Sequence, residues 1–506
     1  MKQFVTTFSL ILTYIANLLA QVPANSKDIM LQGFYWESQN ETGWTQLIEY
    51  ADEIGKNFTA IWLPPSAAAE GDATVGGTNV GYHPRIWNNQ NSCWGTATDL
   101  KTLINTLHDN NVKVIADIVI NHRAGYTSWA TFAPDDFGSY GSFQLTANHI
   151  CKNDELNTNT SAGSEYGTAS GATDTGDNWS GARDLDHNSE YVQNDIKAYL
   201  KWLKGEYGYD GWRYDLVKGY GAQYVGTYND ASAPYIAVGE YWDSSYDNVW
   251  NWIQGTNKKS MAFDFPAKYA LFNNGLAQGN FSNMSWKENG ETPRPAGLIH
   301  HAQSNLYAIT FVDNHDTYRD DNKFSGDWPQ AYAVLLSAPG IPCVFWEHWK
   351  YCKDVISQQI AARKAAGIHS QSSVTVTNTN GYYECYSEGT NGTLICRVGN
   401  AAPSTAPEGY YLACTSSNND WYYFLPNGLN LSTSVNYKLQ ENVSTKIEGN
   451  ILNITTQNPI FVTITTIGGQ TIVSKEITNN TQIELPCGIS IVKIGNEIRK
   501  VIIKNI

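Results

Sequence analysis

Between residue 28 and about residue 367, short runs rich in β-branched and aromatic residues alternate with stretches whose apolar positions recur at helical spacing. The runs are 29–35, 58–63, 112–119, 211–215, 235–239, 260–263, 307–312 and 341–345. Eight strands alternating with helices predict an α/β fold of the (β/α)8 TIM-barrel type, filling 21–367. The helix after the third run is delayed. From about Arg123 to Asp186 the chain is rich in Gly, Ser, Thr, Asn and Asp, and helical periodicity resumes only at 191–203. Structureless loops of that length are uncommon in compact domains, so an inserted subdomain is expected at about 123–186.

Beyond Gly367 the period shortens to two. Runs at 374–377, 382–386, 394–398, 410–413 and 421–424 predict an all-β module over 368–426. From 427 to 506 the composition shifts again: Tyr437 and Phe461 are the only aromatics, and Thr, Asn and Ile dominate. Strands such as 461–467, 470–478, 481–485 and 489–494 predict a smaller β-sandwich there. At the other end, Lys2 precedes an uncharged stretch, 3–26, whose apolar centre is too short and too dotted with Thr and Asn to span a bilayer. It reads as a cleavable secretory signal, 1–20, with a permanent anchor helix as the alternative. The later apolar stretch 331–346 is broken by Pro339, Gly340 and Pro342, so no integral span is expected.

Composition narrows the partners. The 506 residues carry 33 basic and 48 acidic side chains, a formal charge of −15, and such a field repels phosphate backbones and anionic membrane surfaces. Aromatics make up 13 %, with 17 Trp and 31 Tyr, which favours a neutral, hydroxyl-rich ligand that stacks on rings. The eight cysteines show no Cys-x-x-Cys spacing of a zinc site. Cys385 and Cys396 flank a hairpin-turn composition and stand opposite each other as either a disulfide or two buried thiols.

In a barrel enzyme the chemistry sits at the C-terminal ends of the strands. Run three ends Asp117-Ile-Val-Ile-Asn121-His122, run four Arg213-Tyr-Asp215 followed by Lys218-Gly219, run five Gly239-Glu240-Tyr241-Trp242, and run seven Asp313-Asn314-His315-Asp316. Arg213 and Asp215 are two apart on a strand and share a face, so the guanidinium favours an ionised Asp215 fit for nucleophilic attack. Glu240, at the end of the next strand, suits a proton donor if apolar neighbours raise its pKa, and two carboxyl groups about 5 Å apart suit a retaining glycosidase. Asp316 is a third carboxylate, placed to hold sugar hydroxyls with His122 and His315. Each motif alone has a plainer reading: an Asp as a helix cap, His122 as a satisfied interior histidine, Asp117 as a barrel-core ion pair. Their joint occurrence at four strand ends overturns it.

These four segments resemble, in order and spacing, the four motif regions of the α-amylase family of glycoside hydrolases, over roughly residues 28 to 430. The resemblance implies Asp215 as nucleophile, Glu240 as general acid/base and Asp316 as transition-state stabiliser. It also implies Arg213, His122, His315, Lys218 and Trp242 in substrate subsites, with Tyr82 of Gly81-Tyr82-His83-Pro84 as the platform beneath the central sugar. The insertion corresponds to that family's domain B and 368–426 to its domain C. The family commonly binds Ca²⁺ between domain B and the barrel, which implies Asn121, Asp174, Asp177, Asp184 and the Gly219 carbonyl as ligands; their hard oxygens suit that ion, while Asp-rich turns are the bland alternative. Lys218-Gly219 stands where many relatives have Lys-His, and Arg85-Ile-Trp-Asn-Asn89 departs from the usual polar segment. The tail resembles the C-terminal sorting domain of the type IX secretion system; a starch-binding module would need exposed rings, and two in 80 residues argue against one.

The expectation is a secreted, monomeric, Ca²⁺-dependent bacterial α-amylase, extracellular or on the cell surface, hydrolysing internal α-1,4-glucosidic bonds of starch-type glucans. A transglycosylase or a branching or debranching enzyme of the same fold is the first alternative, and a catalytically silent glucan-binding surface protein the second.

Overall fold

The computed structural model describes residues 22–71, 80–158, 167–288, 290–319, 321–416, 418–431, 443–448, 450–456, 460–466, 471–478, 480–486, 488–494 and 497–503. The signal sequence expected at 1–20 lies outside them. The described chain separates into two compact units, 1–431 and 432–506.

In the first unit, β1 (Met30–Gln32), β2 (Ala60–Leu63), β3 (Lys113–Ile118), β4 (Gly211–Tyr214), β5 (Ala237–Gly239), β6 (Met261–Phe263), β7 (Ala308–Phe311) and β8 (Ile341–Phe345) form a closed parallel barrel, each strand beside its sequence neighbour and β8 beside β1. All eight fall inside the runs read from the sequence. Every β4, β7 and β8 residue is buried, as strands covered on both faces must be, and β8 accordingly reads as a continuous rather than alternating apolar run. The ring outside includes α1 (Trp44–Asn57), α2 (Ala97–Asp109), α3 (Glu190–Trp202), α4 (Ala222–Ser232), α5 (Tyr246–Gly255), α6 (Trp328–Ser337) and α7 (Trp346–Ala366). Their starts are set by side-chain caps: Thr96 and Asp99 form a reciprocal capping box on α2, and Ser189, Ser245 and Asp327 cap α3, α5 and α6.

The insertion after β3 is fastened at its neck. His122–Arg123 pairs antiparallel with Arg183–Asp184, so the chain leaves and re-enters the barrel through one two-stranded gate. Inside it, Arg123 is fully buried against Asp135 (2.5 Å) with its guanidinium 4.2 Å from the Trp87 ring, and Arg183 is buried against Asp154 and Glu155. These buried ion pairs sit in the same segment as the buried apolar side chains Phe132, Phe137, Leu145, Ile150, Leu156 and Leu185.

After α7 the chain forms an antiparallel sheet of β9 (Val374–Asn378), β10 (Tyr383–Glu388), β11 (Thr393–Val398), β12 (Tyr410–Thr415) and β13 (Trp421–Pro426), in the order β9-β10-β11-β13-β12. Cys385 and Cys396 are direct cross-strand partners and both are buried free thiols. The second unit holds two sheets. One joins β14 (Val443–Glu448), β15 (Ile451–Thr456) and β18 (Thr481–Glu484); the other has the order β17 (Thr471–Ile477), β16 (Ile460–Thr466), β19 (Gly488–Ile494), β20 (Glu497–Ile503). Leu452, Ile454, Val462, Ile464, Ile477, Ile483, Leu485 and Val492 from both sheets make one aliphatic core, hence a sandwich.

Candidate active site

The register of the parallel strands sets the site. Arg213 on β4 lies level with Asp117 on β3 and Val238 on β5. One step beyond the strands, the Asp215 amide donates to the Ile118 carbonyl (3.0 Å) and the Glu240 amide to the Tyr214 carbonyl (3.0 Å), so both carboxylates start from pinned backbone at one rim. Gly239, just before Glu240, is obligatory: a Cβ there would come within 2.1 Å of the Trp252 ring.

Arg213 joins the site together. Its Nη1 donates to Asp117 Oδ1 (2.7 Å) and Asp215 Oδ1 (2.8 Å), and its Nη2 stands 2.7 Å from Glu240 Oε2. The guanidinium is fully buried, whereas Asp215 and Glu240 retain 8 % and 7 % exposure, enough to face a ligand. Asp117 accepts further bonds from the Tyr82 hydroxyl (2.7 Å) and Trp62 Nε1 (3.1 Å), so it anchors Arg213 and the Tyr82 ring from below, in keeping with the structural role read from its depth in the strand. Leu216 follows Asp215 in the left-handed region, φ +44°, a conformation that strains a branched side chain by roughly 1–3 kcal/mol. That turn aims the Leu216 amide at Glu240 Oε2 (3.2 Å). Oε1 of Glu240 is buried without a hydrogen-bond partner.

Burial dominates the protonation of the pair. It pushes Glu240 up to about 8, with the charges of Asp215 and Asp316 adding to the rise and Arg213 opposing it. Asp215 is pushed up to about 7 by burial, opposed first by Arg213. Here the structure qualifies the sequence argument: the guanidinium does touch Asp215, but desolvation outweighs it, and both carboxyls are pushed up together.

Asp316 completes the rim. Trp36 Nε1 donates to its Oδ1 (3.2 Å), and His315 Nε2 lies 3.3 Å from its Oδ2. The Gln32 amide donates to His315 Nδ1 (3.0 Å), which leaves the ring proton on Nε2, facing Asp316. Burial holds His315 neutral, its pKa lowered to about 4. Tyr82 stacks on His315 at 5.2 Å between ring centroids and 10° between planes. His122 donates through Nε2 to the Tyr82 carbonyl (2.9 Å) and is lowered to about 3 by burial, so it too is neutral. Lys218 is engaged by Asp243 (3.1 Å), while Trp242 donates to the Tyr269 hydroxyl (2.9 Å) and stacks on Phe265; these two brace the loops after β4 and β5 beside the carboxylates.

A second acidic cluster lies at the neck of the insertion. Asn121 Nδ2 donates to Asp184 Oδ1 (3.2 Å), and Asn121 Oδ1 crowds Gly219 so closely that a Cβ there would meet it at 2.0 Å. Asp184 is pushed up to about 8 by burial and by the charges of Asp154 and Asp174, and Asp174 Oδ2 is buried without a partner. Asp177 is exposed, and its amide donates to the Lys218 carbonyl (2.8 Å), laying its loop against the turn that carries Gly219. The sequence reading missed Asp154, which is fully buried and accepts the Asp184 amide (2.9 Å), and also Gln32 and Trp36. Strand one ends in Gln32-Gly-Phe-Tyr-Trp36, so the rule that strand ends carry chemistry contained the signal for the latter two. Asp154 lies in a polar loop with nothing to mark it.

Comparisons with known proteins agree with this arrangement. The family model for the alpha amylase catalytic domain matches residues 40–348. Probable alpha-amylase 2 of Arabidopsis thaliana is 32 % identical over 387 residues, covering 71 % of this chain and 85 % of that protein. Glucan 1,4-alpha-maltotetraohydrolase of Stutzerimonas stutzeri is 29 % identical over 380 residues, 69 % of this chain and 64 % of its own. Chloroplastic alpha-amylase 3 of A. thaliana is 32 % identical over 369 residues, but the chain spans only 39 % of that longer protein. A crystal structure of an Anoxybacillus alpha-amylase superposes with a TM-score of 0.54 at 18 % identity, covering 79 % of this chain and 96 % of that one, and shows the shared fold. With its closed barrel and a catalytic-domain match that spans the strand ends just described, the chain belongs to the alpha-amylase family of glycoside hydrolases.

Proposed function

We propose that the chain is a retaining, endo-acting α-amylase that hydrolyses internal α-1,4-glucosidic bonds of starch-type glucans. In the first step an Asp215 carboxylate oxygen bonds to the anomeric carbon as the glycosidic C–O bond breaks, and the departing oxygen takes the proton of Glu240. Water then attacks the same carbon and gives a proton back to Glu240, releasing Asp215. Asp316, held by Trp36 and His315, grips sugar hydroxyls most tightly as the ring flattens toward an oxocarbenium ion. Tyr82, fixed by Asp117 and His315, offers its ring face to the sugar at the cleavage point.

The observation that carries this reading is Arg213: one buried guanidinium touches both carboxylates, and the oxygen of Glu240 it leaves unpartnered is free to meet the leaving group. Proton NMR of fresh maltoheptaose digests tests it. Newly formed reducing ends appear first as the α-anomer, with short maltooligosaccharides accumulating. First appearance of the β-anomer, or products longer than the substrate, would sink the assignment.

Asn121, Asp174, Asp184 and the Gly219 backbone, with Asp154 beside them, offer a buried set of carboxylate, amide and carbonyl oxygens that suits Ca²⁺, and Asp177 approaches by its loop. The unpartnered oxygen of Asp174 and the mutual repulsion of the three aspartates support a cation there. Calcium would supply charge neutralisation that ties the insertion to the β3 and β4 ends. The same reading takes the chain as exported, with 432–506 as its sorting unit. The aliphatic sandwich, whose segment 427–506 carries two rings in 80 residues, supports an addressing role over a sugar-binding one.

A further inference from the structure

Among the described residues, one further group of side chains converges as metal ligands do. Glu288, His300 and His301 each present one ligand atom, and these atoms all lie within 4.8 Å of one another. They sit in the connection between β6 and β7, and none of them belongs to the carboxylate set of the barrel mouth.

The scaffold there is fixed. Ser285–Trp286 pairs antiparallel with Arg294–Pro295, which sets Glu288 on the turn of a small hairpin. Leu298–His300 forms a single helical turn whose Leu298 and Ile299 amides donate to the buried Asp264 (2.9 and 3.3 Å), and the Ser304 hydroxyl donates to the Leu298 carbonyl (2.6 Å). His300 and His301 are thus carried on bonded backbone, with their rings 4.6 Å apart and edge to face.

His300 is 1 % exposed, and the backbone of Arg294 and Pro295 is its nearest polar company, with neither ring nitrogen in a full hydrogen bond. A buried imidazole so weakly partnered regains little of the solvation it loses. His301 Nε2 is already 3.3 Å from Glu288 Oε1, close to the separation of about 3.3 Å between two ligand atoms on one tetrahedral Zn²⁺ at 2.0–2.1 Å bond lengths. The Glu288 side chain is 56 % exposed, which leaves an entry path.

We propose that Glu288, His300 and His301 form a binding site for a divalent transition-metal ion of the Zn²⁺ class. Two imidazoles and one carboxylate select such an ion over Ca²⁺, which prefers six or more oxygens, so this site is chemically distinct from the aspartate cluster at the insertion neck. Three protein ligands leave one position for water. The ion would bind the hairpin turn to the helical turn, and Tyr246, the first residue of α5, lies 4.8 Å from the His301 ring with its hydroxyl donating to Ser304 (3.3 Å). The role is that of a brace on the β6–β7 connection.

The test uses the full chain kept in Ca²⁺ and titrated with ZnCl2, then with CoCl2. One Zn²⁺ per chain is expected to bind tightly and raise Tm, and Co²⁺ to give visible d–d bands without the intense near-ultraviolet absorption of thiolate ligation. His301→Gln and His300→Ala each weaken Zn²⁺ binding by at least about tenfold, and Glu288→Gln removes the Tm gain. His300 is buried and its variant can misfold; His301→Gln and Glu288→Gln change exposed or half-exposed groups and keep the test decisive. Zn²⁺ binding of equal strength in wild type and His301→Gln, a thiolate charge-transfer band, or no bound Zn²⁺ would each overturn the proposal.

Discussion

The barrel mouth and the C-terminal sandwich bury opposite kinds of side chain. At the mouth, Arg213, Asp117, Asp215, Glu240 and His315 are buried beside one another, whereas among the described residues of 432–506 the hydrophobic core cluster holds eight buried aliphatic residues. Burying a carboxylate costs several kcal/mol even when paired, and only a large surrounding core can offset that. The barrel, with its stacked Trp and Phe rings, is such a surround; a seven-stranded sandwich is not. Reactivity and strain therefore concentrate in one unit, and the other is left with shape alone.

That contrast can be broken most severely at Asp215. Asp215→Asn is expected to lower kcat on soluble starch by on the order of 10⁴-fold or more while the far-UV spectrum and Tm stay near wild type, because the side chain is kept in size but loses its nucleophilic oxygen. Retained activity would remove Asp215 from the chemistry. Glu240→Gln is expected to cost about 10²–10⁴-fold on starch and much less on an aryl maltoside whose leaving group needs no proton. An equal loss on both substrates would count against the proton-donor role.

The pH profile sharpens the same comparison. Asp215 must be ionised and Glu240 protonated, so kcat/KM falls as pH drops below about 7, where Asp215 takes up a proton, and falls again as pH rises past about 8, where Glu240 loses its own. For two coupled carboxyls the limbs belong to the pair, and Glu240→Gln should abolish the alkaline one. A profile flat from pH 5 to 9 would contradict the burial of both groups.

Chelation is expected to act on the barrel unit only. With Ca²⁺ removed, Tm of the barrel transition is expected to fall by on the order of 5 °C and the neck between Asn121 and Asp184 to become protease-sensitive, while the sandwich transition stays put. Smallest at the active site is the effect of the sandwich itself. Ile464→Ala should destabilise 432–506 by about 2–5 kcal/mol, yet it and deletion of 432–506 should each leave kcat on soluble starch within about twofold of wild type. A large loss of kcat in either would show that the two units are energetically joined.

The barrel was legible because its signal is local and repeated. Each strand lies in a short run rich in β-branched and aromatic residues between helical stretches, 341–345 being wholly apolar, and eight in order leave one topology. The candidate site was legible where a strand end is short and polar, as at Asp215 and Glu240. It was less so at Gln32 and Trp36, whose strand end mixes aromatic and polar residues, and not at all at Asp154, which acts 30 residues from Asp184 in a segment without periodicity. For Lys218 and Trp242 the resemblance implies substrate contact, and the structure adds the neighbours that hold their side chains, Asp243 and Tyr269.

The sequence by itself determined the order of elements, the strand ends and the family, since all three follow from residue types at fixed spacings along one chain. The tertiary structure decided that both carboxyls are pushed toward their protonated forms, because desolvation depends on everything packed around a group and here outweighs the neighbouring guanidinium. It also decided that His300, an unremarked histidine in a loop, is buried beside His301 and Glu288, a proximity set by the fold around the hairpin and Asp264 and by no pattern in the chain.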